Sequence, residues 1–346
     1  MPAANLTTTS GHEGVIQRYL RKAFMDLQME VFRSPLVNSP LAIQGSIPRN
    51  MGQSVQFRFY EHFTPDGVLF SEGSEPAASE VLQATTREAP IEELSRYVSL
   101  GNLLVDTDLI NIVSKARDLL RDVAKRDAHV LATIRMVQGA AISAFGTTFN
   151  NIPFKTTFAG QVDQFGDLVE TSRHTMRDWK RARSLLSNNV NPVPTMDGMY
   201  HAIISPAISD ELREDDKDFR EIVKRDGGMR DTVFGQARMV DFEGIRWVIQ
   251  DDGYRTALPI AGGALNTRLA NGAVHVGHLL GAKSFGQVAL GGKKPTQPKF
   301  KVQDISITGV EMTAGYRIPH QNIVVRDDFG VNVAGTSRFS AGIDDI

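Results

Sequence analysis

The alternation of apolar and polar positions is clearest at Ser54 to Glu61. There Val55, Phe57 and Phe59 share one face of a strand, and Gln56, Arg58 and Tyr60 share the other. A polar excursion follows from Phe63 to Ser79, carrying Pro65, Gly67, Gly73 and Pro76, and a second extended run covers Glu80 to Arg87. A hairpin with so few apolar residues at its tip cannot build its own core, and a connection longer than about a dozen residues usually has a function. The pattern describes an arm whose packing partner lies on another subunit. Upstream, Val15, Ile16, Tyr19, Leu20, Phe24, Leu27, Val31 and Phe32 keep helical spacing over Glu13 to Arg33, and Ser34-Pro35 stops the helix. A linker rich in Pro, Ser, Asn and Gly fills 34–53. On pattern alone this first helix fits a docking arm and an ordinary domain helix equally well.

Asp106 to Gln138 is predicted as one long helix. Asp108 suits its N-cap and Gly139 its end. Its apolar stripe reads Leu109, Ile112, Val113, Ala116, Leu119, Leu120, Val123, Val130, Leu131, Ile134 and Val137. About 30 residues at ~1.5 Å each make a rod of ~45 Å, long for a globular domain. No heptad is sustained, so a spine packed on a sheet is expected in place of a coiled coil.

After a stretch rich in Phe, Gly and Thr (140–166), helices and strands mix. Helices are predicted over Ser172 to Ser187, Ala207 to Arg213 and Asp218 to Arg225. Strands are predicted over Met199 to Ile204, Gly244 to Ile249, Val274 to Leu280, Phe285 to Leu290, a run beginning at Val302, and Tyr316 to Val325. Tyr254 to Gly272 reads as a Gly- and Ala-rich loop, and Gly335 to Ile346 as a loose tail. The fold class is α+β.

With 346 residues the chain can form two or three subdomains, and 41% apolar residues mark it as globular. No apolar run reaches about 18 residues, so no membrane helix is expected. The N-terminal residues have neither a basic segment nor an apolar core, so no secretory signal is expected in them. A net charge of −2 excludes a bulk polycation that would coat nucleic acid. The densest basic run, Arg173 to Arg183, spreads around a helix and reads as a solvated face. Cysteine is absent, which removes disulfides, thiolate metal sites and cysteine nucleophiles together.

Catalytic patterns do not rise above background. Gly281-Ala282-Lys283-Ser284 lacks the spacing of a phosphate loop and reads as a surface turn. His275 and His278 fall on opposite faces of a strand and cannot share a metal. His201 reads as a satisfied core or edge histidine. The acidic pairs Glu92-Glu93, Asp215-Asp216, Asp251-Asp252, Asp327-Asp328 and Asp344-Asp345 sit at ends and loops, where turns and caps explain them. No catalytic residue, metal or cofactor is assigned.

Three stretches, in order, carry a family resemblance. The first is Ile47-Pro48-Arg49-Asn50-Met51-Gly52-Gln53-Ser54 leading into the Val55 to Tyr60 strand. The second is Ser71-Glu72-Gly73-Ser74-Glu75-Pro76, then Arg96-Tyr97-Val98-Ser99-Leu100 and the long helix. The third is Tyr200-His201-Ala202-Ile203-Ile204-Ser205-Pro206 with Leu212-Arg213, and later Gly244-Ile245-Arg246-Trp247-Val248. In these the chain resembles the tailed-bacteriophage major capsid proteins of the Johnson fold, in particular the podovirus-type coat proteins, over roughly residues 15 to 325. The resemblance implies an N-terminal arm (1–50), an extended hairpin loop (51–92), a peripheral domain with a spine helix (93–165) and an axial domain (166–295). C-terminal strands returning to the peripheral domain, with a tail, complete it (296–346).

It further implies hexamers and pentamers closing an icosahedral shell around double-stranded DNA, which the inner face meets without sequence preference. The expected partners are copies of the chain itself, a scaffolding protein, a portal and a decoration or cement protein. The expected location is the virion capsid, after assembly in the host cytoplasm. Arg58, Tyr60, Phe63, Val68, Leu69, Phe70 and Glu72 are the candidate contacts between subunits. Some members of the fold crosslink neighbours through a loop lysine. No Lys occurs from Ala23 through Ser114 here, so non-covalent contacts or a separate cement protein are expected in its place. Two other readings rank below: the shell of an encapsulin-like bacterial nanocompartment, and an α/β enzyme with an unrecognised site.

Overall fold

A computed structural model of the chain describes residues 41–47, 54–60, 82, 84–101, 120, 123–124, 127–129, 131–137, 142–144, 147–149, 152–161, 168, 171–188, 192–225, 238–249, 274–290, 299–304 and 311–339. The helix expected at 13–33, the excursion 63–79, the first part of the long helix and the loop 254–272 lie outside the described residues.

The strands in chain order are β1 (Ala42–Ile47), β2 (Ser54–Tyr60), β3 (Ala84–Pro90), β4 (Glu92–Gly101), β5 (Ile142–Ala144), β6 (Thr147–Phe149), β7 (Lys155–Phe158), β8 (Tyr200–Ile204), β9 (Arg238–Phe242), β10 (Ile245–Ile249), β11 (Val274–Leu280), β12 (Phe285–Leu290), β13 (Lys299–Asp304), β14 (Glu311–Val324) and β15 (Gly330–Thr336). The spine helix α1 is described at 120, 123–124, 127–129 and 131–137. The other α-helices are α2 (Met176–Ser187), α3 (Pro206–Asp215) and α4 (Lys217–Arg225).

Two larger sheets organise these elements. One is six-stranded, in the order β7-β15-β11-β8-β10-β9. The other runs β1-β12-β14-β13, with β4 also paired to β14. Strand β14 belongs to two neighbourhoods. Its first part lies between β4 and β13, and its last residues pair with β12. Of the C-terminal strands, β13 and β14 lie in this second sheet and β15 in the six-stranded one. The β2–β3 hairpin and the short β5–β6 pair stand apart as two-stranded ribbons.

Local chemistry explains the helix starts. Thr175 and Asp178 form a reciprocal capping box at α2. Ser205 caps α3 and Pro206 occupies its first turn, where a missing N–H costs nothing. The buried positions of α2 (Met176, Trp179, Ala182, Leu186), α3 (Ile208, Leu212) and α4 (Phe219, Val223) face Ala202, Ile204, Trp247, Ile249 and Leu279 of the six-stranded sheet. The opposite side of that sheet, through Ile203, Val248 and Leu280, meets Ala132 and Met136 of α1.

The spine does pack on sheets; of the predicted stripe Leu120 and Val137 are buried, but residues outside it, mostly alanines, take the other described contact positions. Leu120, Ala124, Ala128, Ala132 and Met136, four residues apart, are buried, whereas Val123, Leu131 and Ile134 are half-buried. Alanines let the helix backbone approach closely. Leu120, Ala124 and Ala128 meet Tyr316, Leu94 and Val98 of the second sheet, and Ala132 and Met136 meet the six-stranded one. One helix thereby joins both sheets. The join is fixed by Asn332, whose amide Nδ2 donates to the carbonyls of Met136 (3.1 Å) and Phe154 (3.4 Å). The Met136 carbonyl also accepts from the Phe154 backbone N–H at 3.0 Å.

The expected loose tail is corrected in its first part. Residues 335–336 complete β15, and Arg338 is held by Glu211 of α3, which accepts from the Arg338 backbone N–H at 2.6 Å and from its guanidinium at 3.3 Å. Glu211 is 2% exposed, and a buried carboxylate demands such a partner.

Candidate assembly surface

The base of the β2–β3 hairpin shows how strand parity builds a surface. Strands β2 and β3 pair antiparallel from Ser54↔Pro90 to Tyr60↔Ala84. On the inner face, Phe57 is buried, and Val55 and Phe59 pack partly buried against Ile47, Ala89, Ile91, Val288, Ile323 and Val325. The ring of Phe57 occupies a slot that exists because β1 and β12 carry glycines beside it. A Cβ on Gly286 would lie 2.7 Å from Phe57 Cζ, and one on Gly45 would lie 3.0 Å from it. Close aromatic approach is one use of a glycine inside a strand.

The outer face is turned away from this contact. Gln56, Arg58 and Tyr60 are exposed, with Tyr60 51% accessible, and Leu82 is 57% accessible just before β3. Of the sequence candidates, Arg58 and Tyr60 therefore lie side by side on the free face of β2. Phe63, Val68, Leu69, Phe70 and Glu72 lie outside the described residues.

Strand β4 presents a second exposed aromatic, Tyr97, 76% accessible. The strand under it is tied to the spine. Arg96 Nε lies 2.6 Å from Asp127 Oδ2, and the Tyr316 hydroxyl donates to the same carboxylate at 3.0 Å. Burial, and then the Asp127 charge, hold the Tyr316 phenol protonated far above its ordinary range. At the start of β4, Glu92 pairs with Arg135 of the spine. Burial lowers the Arg135 pKa, and the Glu92 carboxylate opposes that effect.

Four histidines are buried in and beside the six-stranded sheet: His174, His201, His275 and His278. His275 and His278 do face opposite sides. The His174 ring nitrogen Nε2 lies 3.1 Å from the His275 carbonyl on the helix-covered side. On the spine side, His278 Nδ1 lies 2.8 Å from Asn332 Oδ1. Because Asn332 Nδ2 is the donor to Met136 and Phe154, its Oδ1 accepts and His278 Nδ1 carries the proton. Burial, with the nearby His275, pushes His174 down to about 3. Burial likewise pushes His278 down to about 4, and burial with the nearby Arg246 pushes His201 down to about 4. His174, His201 and His278 are thus neutral core side chains.

The remaining sequence candidates are structural. Lys283, of the phosphate-loop-like Gly281 to Ser284, occupies a left-handed position (φ 57) in the turn between β11 and β12. On α2, Lys180 and Arg183 pair with Glu243 of the β9–β10 turn, and Arg177 and Arg181 are exposed. Among the described residues no group of three His, Asp or Glu side chains is placed to hold a metal ion. No helix among them is long and apolar enough to cross a membrane. Sequence reasoning missed the Gly45–Gly286 slot, the Glu211–Arg338 anchor and the Glu92–Arg135 pair. Only the first had a signal, a glycine in each of two apolar strands.

No family model matches the sequence, and no curated protein matches it either. Solved structures do match. The capsid of Ralstonia phage GP4 superposes with a TM-score of 0.61 at 14% identity, covering 87% of this chain and 88% of that one. The capsid protein of cyanophage Pam1 gives 0.55 at 12% identity over 88% and 91% of the two chains. The head of Helicobacter pylori bacteriophage KHP40 gives 0.55 at 11% identity over 88% and 91%. The chain has the fold of the tailed-phage major capsid proteins.

Proposed function

We propose that the chain is the major shell subunit of a tailed bacteriophage, assembling as hexamers and pentamers into an icosahedral capsid around double-stranded DNA. The observation that carries this reading is the β2–β3 ribbon. One face is pinned to its own body, and the other presents Arg58 and Tyr60 to solvent, on a fold shared with phage capsids. An aromatic and a cation side by side suit a contact between copies. In this reading residues 1–50 are an arm, 51–92 the extended loop, 93–165 and the β13–β14 strands a peripheral domain, and 166–295 an axial domain. Phe63, Val68, Leu69, Phe70 and Glu72 extend the contact begun by Tyr60. Each contact is modest, and closure multiplies them. The role is structural and the partners are identical copies. A scaffolding protein, a portal and a decoration protein join them during assembly in the host cytoplasm and in the finished virion.

Electron microscopy of the purified full chain tests the proposal. Closed shells, sheets or ring-shaped capsomers are expected. A monodisperse small oligomer, with Phe63 to Ser79 packed on its own subunit, would sink it. Mass spectrometry of particle contents separates a DNA-filled phage shell from a compartment loaded with an enzyme.

A further inference from the structure

We infer that Arg326 sets the direction in which the β2–β3 hairpin leaves the body, by clamping Phe59 from the turn between β14 and β15. The inference rests on the shell reading for its consequence, since the direction of the hairpin decides whether neighbouring copies meet at an angle that closes.

The geometry is that of a two-point mount. Phe57, seated against Gly45 and Gly286, is the first point. Val55 and Ala89 pack beside it, so the base is seated, while the part of the ribbon beyond Phe57 can still swing about that base. Phe59 lies two residues on, about 7 Å further along the same face. It is only half-buried, so packing alone does not fix it. The guanidinium carbon of Arg326 lies 5.2 Å from the Phe59 ring centroid and 4.1 Å from that of Phe329. Both fall within the range of a cation–π contact. The plane of the guanidinium is itself held. Asp328 accepts from Nε at 3.0 Å and from Nη2 at 2.6 Å, a paired contact that only arginine can make. The Arg326 side chain is 15% exposed, so the clamp is partly shielded from water. Phe329 and Asp328 belong to the body, and Phe59 belongs to the hairpin. Arg326 is therefore the link between them and a positioning residue.

The absence of cysteine makes the test clean. Ala84→Cys, at the far end of β3, and Lys155→Cys, on β7, are exposed sites for a spin-label pair in the full-length chain. The width of the label–label distance distribution reads the swing of the hairpin. Arg326→Ala and Phe59→Leu are each expected to widen it about twofold, and the double variant no further, because both remove one contact. Arg326→Lys, which keeps charge but not the planar stack, is expected to fall between. Gly286→Ala unseats the other point, so it should add to Arg326→Ala. Near-UV circular dichroism checks that each variant remains folded, and Phe59→Leu with Arg326→Lys carries the test if Arg326→Ala does not fold.

Shells made from the clamp variants are then expected to show a broader spread of diameters than the parent chain. An unchanged distance distribution in Arg326→Ala overturns the inference. So does an Asp328→Asn variant that widens the distribution while Phe59→Leu does not, because Arg326 would then only brace its own turn. A widened hairpin with shells of normal size overturns the link to closure. A parent chain that never assembles defeats the shell reading, and the label distances still decide the clamp.

Discussion

In the helix-covered layer of the six-stranded sheet, Trp247 is fully buried between Trp179 (ring centroids 5.0 Å apart) and Phe219 (5.2 Å), both edge to face. The base of the β2–β3 hairpin meets the body through one face, with Phe57 of β2 and Ala89 of β3 buried and Val55 and Phe59 half-buried. The first region is held from several elements at once, and losing any one contact leaves many. The second is held along one face only, and its opposite face is exposed. A rigid body carrying a ribbon with one docked and one open face suits a subunit that must be ordered alone yet finish its packing on a neighbour.

Acid breaks this comparison most strongly. His174, His201 and His278 are buried neutral, with pKa values pushed to about 3, about 4 and about 4 from an ordinary 6.5. Unfolded, the rings take protons near pH 6.5; folded, they resist until pH 3 to 4. Below the higher value the unfolded chain binds more protons, so stability falls as pH falls. The contribution is intact above pH 6.5 and lost progressively toward pH 3 to 4. At pH 5 each ring costs about 2 kcal/mol, on the order of 6 kcal/mol for the three. The hairpin base packs in a cluster of its own, made of apolar side chains. Hydrogen exchange across this window should therefore show β8, β11 and β15 losing protection before the inner face of β2. Equal loss in both regions would show that the layers unfold as one unit.

Trp247→Ala ranks next. Truncating a buried aromatic of this size costs about 3–5 kcal/mol, and here it also removes two edge-to-face contacts. Urea unfolding followed by the fluorescence of Trp179 should shift by that amount. The hairpin should keep its packing, because Phe57 shares no contact with the Trp247 cluster. A loss under about 1 kcal/mol would mean that the site collapses around the gap, and that the layer is less tightly held than its contacts imply.

How much of this the chain announces depends on how local the cause is. Strands β11 and β12 are bounded in the sequence as in the structure, at Val274–Leu280 and Phe285–Leu290, because apolar runs flank a Gly-containing turn. The two faces of β2 follow from alternation alone. The buried stripe of the spine does not. Counting large aliphatics favours Val123, Leu131 and Ile134, yet the contact requires small residues where two sheets approach, and Ala124, Ala128 and Ala132 take it. The Arg326–Phe59 contact and the Glu211–Arg338 anchor join residues far apart in the chain. A lone arginine in a turn carries no mark of the ring it will cover. Of the assembly candidates, Tyr60 and Arg58 were legible because exposure in a strand follows from parity. Tyr97, the most exposed of the large hydrophobic side chains described, is not among those candidates.

The smallest effect on the isolated chain is the most informative about the hairpin. Tyr60 lies on the same strand as Phe57, three residues on and on the other face, with half its surface in water. Removing its ring by Tyr60→Ala deletes little that the lone subunit uses, and surface substitutions of this kind change stability by less than about 0.5 kcal/mol. If the open face is an assembly contact, the same change removes an aromatic anchor, worth about 1–2 kcal/mol per interface. That is roughly 5- to 30-fold in pairwise affinity, repeated at every contact of a shell. The threshold concentration for assembly, measured by light scattering, should rise accordingly while the unfolding midpoint stays put. An unchanged threshold would place Tyr60 outside any contact. A fallen midpoint would mean that its ring packs on its own subunit, and the two faces of β2 would no longer differ in kind.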